Sequence, residues 1–286
     1  MKDKTKTAPP TVESLFSLAG KRVVLTGASG LFGRAFTDAL LGAGASVLAF
    51  GRNEKALKTL AENVESRHGK GRLSSYVADC ADDAEFRKAL QKAADDNGGV
   101  DVLVNNAFEF SRDTGFNDPS GSMDRISHDQ WMRGLESGVY WQASAIQVVT
   151  PRMKQQGGGS IVNISSMYAL VSPDPALYRG KTVFNPPTYS VAKAGLLALT
   201  RYVASFYGEF GIRCNALLPG SFPNTDPTAF NAPSDDSFLA ALAAKTALGR
   251  VGKVEDLQGA LVFLASNASA YMTGQALVVD GGWTIR

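Results

Sequence analysis

Arg22-Val23-Val24-Leu25-Thr26-Gly27-Ala28-Ser29-Gly30-Leu31-Phe32-Gly33 is the stretch on which the architecture turns. A short apolar run ended by Thr-Gly reads as a strand buried on both faces. Phe32, Ala35, Phe36, Ala39 and Leu40 then recur at helical spacing and form one apolar stripe. The glycines between strand and helix permit a tight turn and let backbone N–H groups approach a pyrophosphate, which the helix N-terminus stabilises. A glycine trio also serves ordinary turns and close packing. Its place directly after the first strand is what points to a dinucleotide.

Working outward, Gly42 and Gly44 break the helix and a second strand follows at 46–50. The alternation continues, with helices expected at 54–65, 83–94, 129–154, 189–210 and 254–266, and strands at 73–78, 100–104, 160–164, 213–218 and 276–279. Right-handed βαβ crossovers then predict an α/β fold: a doubly wound, seven-stranded, mostly parallel sheet of Rossmann type with helices on both faces. Residues 1–13 read as a flexible N-terminal tail and 14–286 as a single domain. Two proline-rich segments, 167–188 and 221–237, lack periodicity and follow strand carboxyl ends, the edge at which open α/β sheets bind ligands.

Composition narrows the function. With 286 residues, 44% hydrophobic and 20% charged, the chain is globular. A net charge of +2 without a dense basic run gives no nucleic-acid footprint. No apolar run reaches the roughly 18 residues of a membrane span. Cys80 and Cys214 are too few for a disulfide framework and lack metal-ligand spacing, so a reduced, cytoplasmic protein without a metal site is expected. The partner implied is a small-molecule substrate.

The end of the second strand, Ala49-Phe50-Gly51-Arg52-Asn53, carries no acid to accept bonds from a ribose 2′-hydroxyl. Its arginine suits a 2′-phosphate, so NADP(H) is favoured over NAD(H). Further on, Tyr189-Ser190-Val191-Ala192-Lys193 sets a phenol and an ammonium one helical turn apart. A tyrosine with a pKa near 10 is a poor base at neutral pH, and a close cation favours the phenolate.

Thr26 to Gly33, Asp79, Asn105-Asn106-Ala107, Ser166, Tyr189 with Lys193, Pro219-Gly220 and Val279-Asp280-Gly281-Gly282 occur in that order. The set resembles the short-chain dehydrogenase/reductase family, single-domain branch, over about residues 18–286. The resemblance implies a homo-oligomer, dimer or tetramer, and assigns roles. Ser166 would hold the substrate oxygen, Tyr189 would transfer the proton, and Lys193 would orient the ribose and tune Tyr189. Thr26, Gly27, Ser29, Gly30, Leu31, Gly33 and Arg52 would bind the cofactor. Asp79 and Cys80 would lie at the adenine, and Asn105 and Ala107 along the ribose and nicotinamide side. Pro219, Gly220 and Phe222 would border the nicotinamide.

Departures from the family pattern raise alternatives. Leu31 stands at the usual middle glycine, and the resulting spacing resembles sugar epimerases and dehydratases that retain their cofactor. Seven residues after Trp131 the family carries an asparagine that supports a proton-relay water, whereas this chain has Gly138. A cofactor-binding regulator with weak catalysis is the reading that this change favours. Ser166 and Tyr189 are also further apart than usual, with Tyr178, Arg179 and Lys181 between them. Arg179 or Lys181 then either contacts an anionic or polyhydroxy substrate or is an incidental charge on a solvated loop. The leading expectation is an oxidoreductase moving hydride between a nicotinamide and a secondary alcohol or ketone. The segments around 172–189 and 219–224 resemble sugar- and acylated-sugar-modifying members.

Overall fold

A computed structural model describes residues 9–180, 184–224 and 236–286. Among them the strands are β1 (Arg22–Thr26), β2 (Ser46–Gly51), β3 (Leu73–Val77), β4 (Val102–Asn105), β5 (Gly159–Ile164), β6 (Ile212–Pro219) and β7 (Ala276–Val279). They form one seven-stranded sheet in the order β3-β2-β1-β4-β5-β6-β7, and every pairing is parallel. The helices are α1 (Val12–Phe16), α2 (Leu31–Gly42), α3 (Glu54–His68), α4 (Asp83–Asp96), α5 (His128–Leu135), α6 (Trp141–Gln155), α7 (Pro187–Tyr207), α8 (Asp236–Ala244) and α9 (Gln258–Ala265).

Strand side chains alternate between two cores, as a period of two requires. Val23 and Leu25 of β1, Val47 and Ala49 of β2, and Val102 and Val104 of β4 face one core with α2, α3 and α9. Val24, Leu48, Phe50 and Leu103 face the other, with α4, α6 and α7. Because both faces are covered at the centre of the sheet, β1, β2 and β4 read as continuous apolar runs, whereas the edge strand β3 is half open and carries Ser74 and Ser75. The sheet order reverses between β1 and β4, and there the carboxyl ends of the strands open a crevice.

Four expectations need correction. The helix expected at 129–154 is interrupted by a π-helical turn, Glu136–Tyr140, between α5 and α6. Short 3₁₀ turns, Met167–Ala169 and Pro175–Tyr178, structure the first proline-rich segment, and α7 already starts at Pro187. In the second, residues 225–235 lie outside the described residues, and helix α8 begins at Asp236. Residue 13, the expected end of the tail, falls inside α1, whose N-cap is Thr11. None of the described helices is long and apolar enough to cross a membrane.

Candidate active site

The crevice at the strand ends is a cavity of about 490 Å³. Its floor is the turn after β1. Gly27 has φ +66°, a left-handed conformation that favours glycine, and a Cβ there would lie 3.1 Å from the Ala107 Cα. At Gly33 a Cβ would fall on the Gly27 carbonyl, so this residue serves the close packing of helix on turn. Gly30 caps α2 without a side-chain bond, which leaves the first-turn N–H groups of that helix facing the cavity as an anion cradle. Thr26 fixes the frame: its Oγ1 accepts from the backbone N of Asn106 and of Ala107, both at 3.0 Å.

Gly27, Ser29, Gly30 and Leu31 line the cavity, as do Arg52, Asp79, Cys80 and Ala107. Thr26, Gly33 and Asn105 do not. Asn105 is buried, and its side-chain amide donates to Asn163 Oδ1 at 2.8 Å, tying β4 to β5. Its neighbour Asn106 faces the cavity instead and bonds back to the carbonyls of Thr26 and Gly27. Arg52 is exposed at the rim, and among the described residues no carboxylate pairs with it. Burial pushes the Cys80 thiol up to about 12, so it lines the wall without being a nucleophile.

At the other end Ser166, Tyr189 and Lys193 come together. Ser166 follows β5, and its Oγ accepts from the Tyr168 N at 3.2 Å while hydrogen-bonding with Tyr189. Tyr189 and Lys193 stand on the first turns of α7, where Pro187 at the helix start sets the backbone for free. The Lys193 ammonium is buried, donates to the Ile164 carbonyl at 2.9 Å, and lies 5.6 Å from the Tyr189 ring centroid. Burial governs both groups: it pushes Tyr189 up to about 12, against the opposing bond from Ser166, and Lys193 down to about 7. The expected lowering of the phenol by its lysine is not seen: the dry surroundings raise it, and the opposing influence comes from Ser166. Phe108, Phe110 and Phe116 supply them, each packed edge-on or tilted against the Tyr189 ring at 5.1–6.0 Å.

Pro219, Gly220 and Phe222 close the cavity beyond β6. A Cβ at Gly220 would meet the Asp280 Cα at 2.5 Å, so the chain's last strand ends directly against this wall. Asp280 in turn accepts from the backbone N of Gly282 and Thr284, both at 2.8 Å. The segment before α7 packs on α8 through Leu177, Tyr178 and Phe238, and Asp174 pairs with Lys245. It thus forms a wall beside Tyr189. Arg179 is exposed and does not line the cavity; Lys181 lies outside the described residues.

Comparison with known proteins decides the family. The family model described as enoyl-(acyl carrier protein) reductase matches residues 27–284. Gluconate 5-dehydrogenase of Gluconobacter oxydans is 33% identical over 95% of this chain and 97% of its own. The chain belongs to the short-chain dehydrogenase/reductase family. As a dehydrogenase/reductase of that family it is an NAD(P)-dependent enzyme. The 3-oxoacyl-acyl-carrier-protein reductase FabG of Chlamydia pneumoniae is 32% identical over 94% of this chain and 98% of its own. A solved gluconate 5-dehydrogenase from Burkholderia cenocepacia, in complex with NADP and tartrate, superposes with a TM-score of 0.81 at 29% identity, covering 96% of this chain and 100% of its own.

Within this short-chain dehydrogenase/reductase, sequence reasoning missed the aromatic wall. Phe108 and Phe110 sit in a loop without periodicity, and only their clustering with Phe116 gave a signal. Glu109 and Trp141 also line the cavity; Glu109 is buried and paired with Arg133 at 2.6 Å. Gly138 has a steric cause. A Cβ there would lie 2.5 Å from the Ala192 Cβ and 3.2 Å from the Phe108 ring.

Proposed function

We propose that this enzyme is an NADP(H)-dependent reductase of a carbohydrate-like ketone, or dehydrogenase of the matching secondary alcohol. The observation that carries this reading is one cavity with Ser166, Tyr189 and Lys193 at one end and the unpaired Arg52 at the other. The glycine turn and the open first turn of α2 fit a pyrophosphate, and the Arg52 guanidinium fits a 2′-phosphate. A nicotinamide bound there would supply or take the hydride. Ser166 donates a hydrogen bond to the substrate oxygen, and Tyr189, protonated at neutral pH, gives that oxygen its proton. Lys193 would hold the ribose hydroxyls with the donors left over from Ile164. The polar substrate is supported by the likeness to gluconate 5-dehydrogenases.

The test is reduced-nicotinamide absorbance with NADPH and with NADH across keto-acids of sugars, free ketoses, aromatic ketones and acyl thioesters. Oxidation of NADPH by the sugar-derived carbonyls is expected; no oxidation by any carbonyl would end the reading. Arg52→Ala should raise KM for NADPH about 10- to 100-fold, the value of one or two charge-assisted bonds, and leave KM for NADH within twofold. Equal effects on both cofactors would remove Arg52 from phosphate recognition. A second reading, an apolar ketone or acyl thioester, is favoured by the wall of Phe108, Phe110 and Phe116, and the same panel separates the two. The free thiols Cys80 and Cys214 suit a reduced, cytoplasmic setting.

A further inference from the structure

The Lys193 ammonium makes a single hydrogen bond among the described residues, to the Ile164 carbonyl. Its other face is an aromatic ring: the ammonium lies 4.8 Å from the Phe108 centroid, within the range in which a cation is drawn to a π-face. The edge of that ring system also meets Tyr189, with centroids 5.2 Å apart and planes at 77°. The ring is not loosely placed. On one side the Ala107 N donates to Thr26 and the Ala107 carbonyl accepts from Gln142 at 2.9 Å. On the other, Glu109 is bound by Arg133, which also pairs with Glu136 of the π-helical turn. Phe108 therefore stands between two fixed neighbours, and its ring lies against the space above Gly138.

We propose that Phe108 is a positioning residue for the Lys193–Tyr189 pair: together with the Ala192 methyl its ring fills the space beside Gly138, and it holds the ammonium by its face. The glycine and the phenylalanine are then one arrangement, a ring delivered from the β4 loop in place of a polar group delivered from the helix. This rests on the reading of Lys193 and Tyr189 as the reacting pair. The charged form of Lys193 is met by the Ile164 carbonyl, by the Phe108 ring at 4.8 Å and, farther off, by the Tyr189 ring at 5.6 Å. On its own helix the titratable neighbour is Tyr189, the end of β5 contributes the uncharged Ser166, and Glu109 of the β4 loop is neutralised by Arg133. Replacing the ring by an aliphatic group of similar size keeps the site dry and removes the π-face. Shrinking it to a methyl group instead admits water beside Gly138.

The experiment is an NMR titration of the Lys193 Cε resonance in the full chain labelled with ¹³C-lysine, assigned by its loss in Lys193→Met. Phe108→Leu should lower the titration midpoint by about one pH unit, a tenfold loss of proton affinity. Phe108→Tyr should leave it in place, and Phe108→Ala should raise it. With the best carbonyl substrate, the pH dependence of kcat should move in the same order. A midpoint equal in the parent and Phe108→Leu would reduce the ring to space-filling and overturn the proposal, whether or not Phe108→Ala folds. The titration needs neither nucleotide nor turnover, so its outcome is separate from that of the carbonyl panel.

Discussion

Lys193 and Tyr189 are each displaced from their ordinary protonation by the same dry pocket, in opposite directions of charge. A tyrosine raised to about 12 keeps its proton at neutral pH and is ready to donate, which suits reduction of a carbonyl. Tyr189→Phe should lower kcat about 10²- to 10⁴-fold while leaving NADPH fluorescence titration unchanged; a loss under tenfold would assign the proton to another group. The lysine has a consequence for stability. With a folded pKa of about 7 against the ordinary 10.5, the unfolded chain holds a proton between those values that the folded chain lacks. Stability therefore rises with pH across that window, and below about 7 the whole cost of the buried cation is present. Lys193→Met should melt roughly 3 °C higher than the parent at pH 6, with the gap closing toward pH 10. Melting curves with a gap independent of pH would show that burial of the charge is not what the lysine costs.

The π-helical turn between α5 and α6 shows how tertiary contact sets a local break. Gly134 and Gly138 face α7 so closely that a Cβ on the first would lie 2.8 Å from Thr188, and on the second 2.5 Å from Ala192. Gly138→Ala should destabilise the protein by about 1–3 kcal/mol in urea unfolding, because both contacting atoms are anchored to backbone and the helices must part. An unchanged midpoint would show that the gap yields freely. For the same reason Gly138→Asn would confound overpacking with any gain of proton relay. Strands β1, β2 and β4 were legible because burial on both faces leaves unbroken apolar runs, the half-open β3 only from its place in the alternation, and the glycine turn because only glycine suits Gly27 and Gly33. The break at 136–140 was not, since its cause lies on α7, far along the chain. Helix α8 was missed although Phe238 and Leu242 sit one turn apart, as the prolines before it drew the reading toward a loop. Ser166, Tyr189 and Lys193 were legible by type and order. The exchange of Asn105 for Asn106 at the cavity depends on which way the last strand residue points, which the sequence leaves open.

On the scale of the molecule, helices cover both sheet faces, and among the described residues one helix still presents an apolar side outward. The outer side of α7 carries Val191, Ala194, Ala198, Tyr202 and Phe206 at helical spacing, all exposed. Tyr202 and Phe206 are 56% and 59% exposed and stack on each other at 4.2 Å. A contiguous exposed apolar stripe of this kind suits burial against a partner surface. We infer that a homo-oligomer, dimer or tetramer, covers it with a second copy of the same helix. Val191 lies between Tyr189 and Lys193, so the covered stripe would back the helix that carries both of them. Light scattering behind size exclusion should give a mass of at least two chains for the parent, and a single chain for Tyr202→Glu/Phe206→Glu, because like charges meeting across a symmetric contact repel. The dissociated variant should also lose kcat, since α7 would no longer be braced from outside. A parent that elutes as one chain, or a double variant that keeps the parent's mass, would place the association surface elsewhere or abolish it.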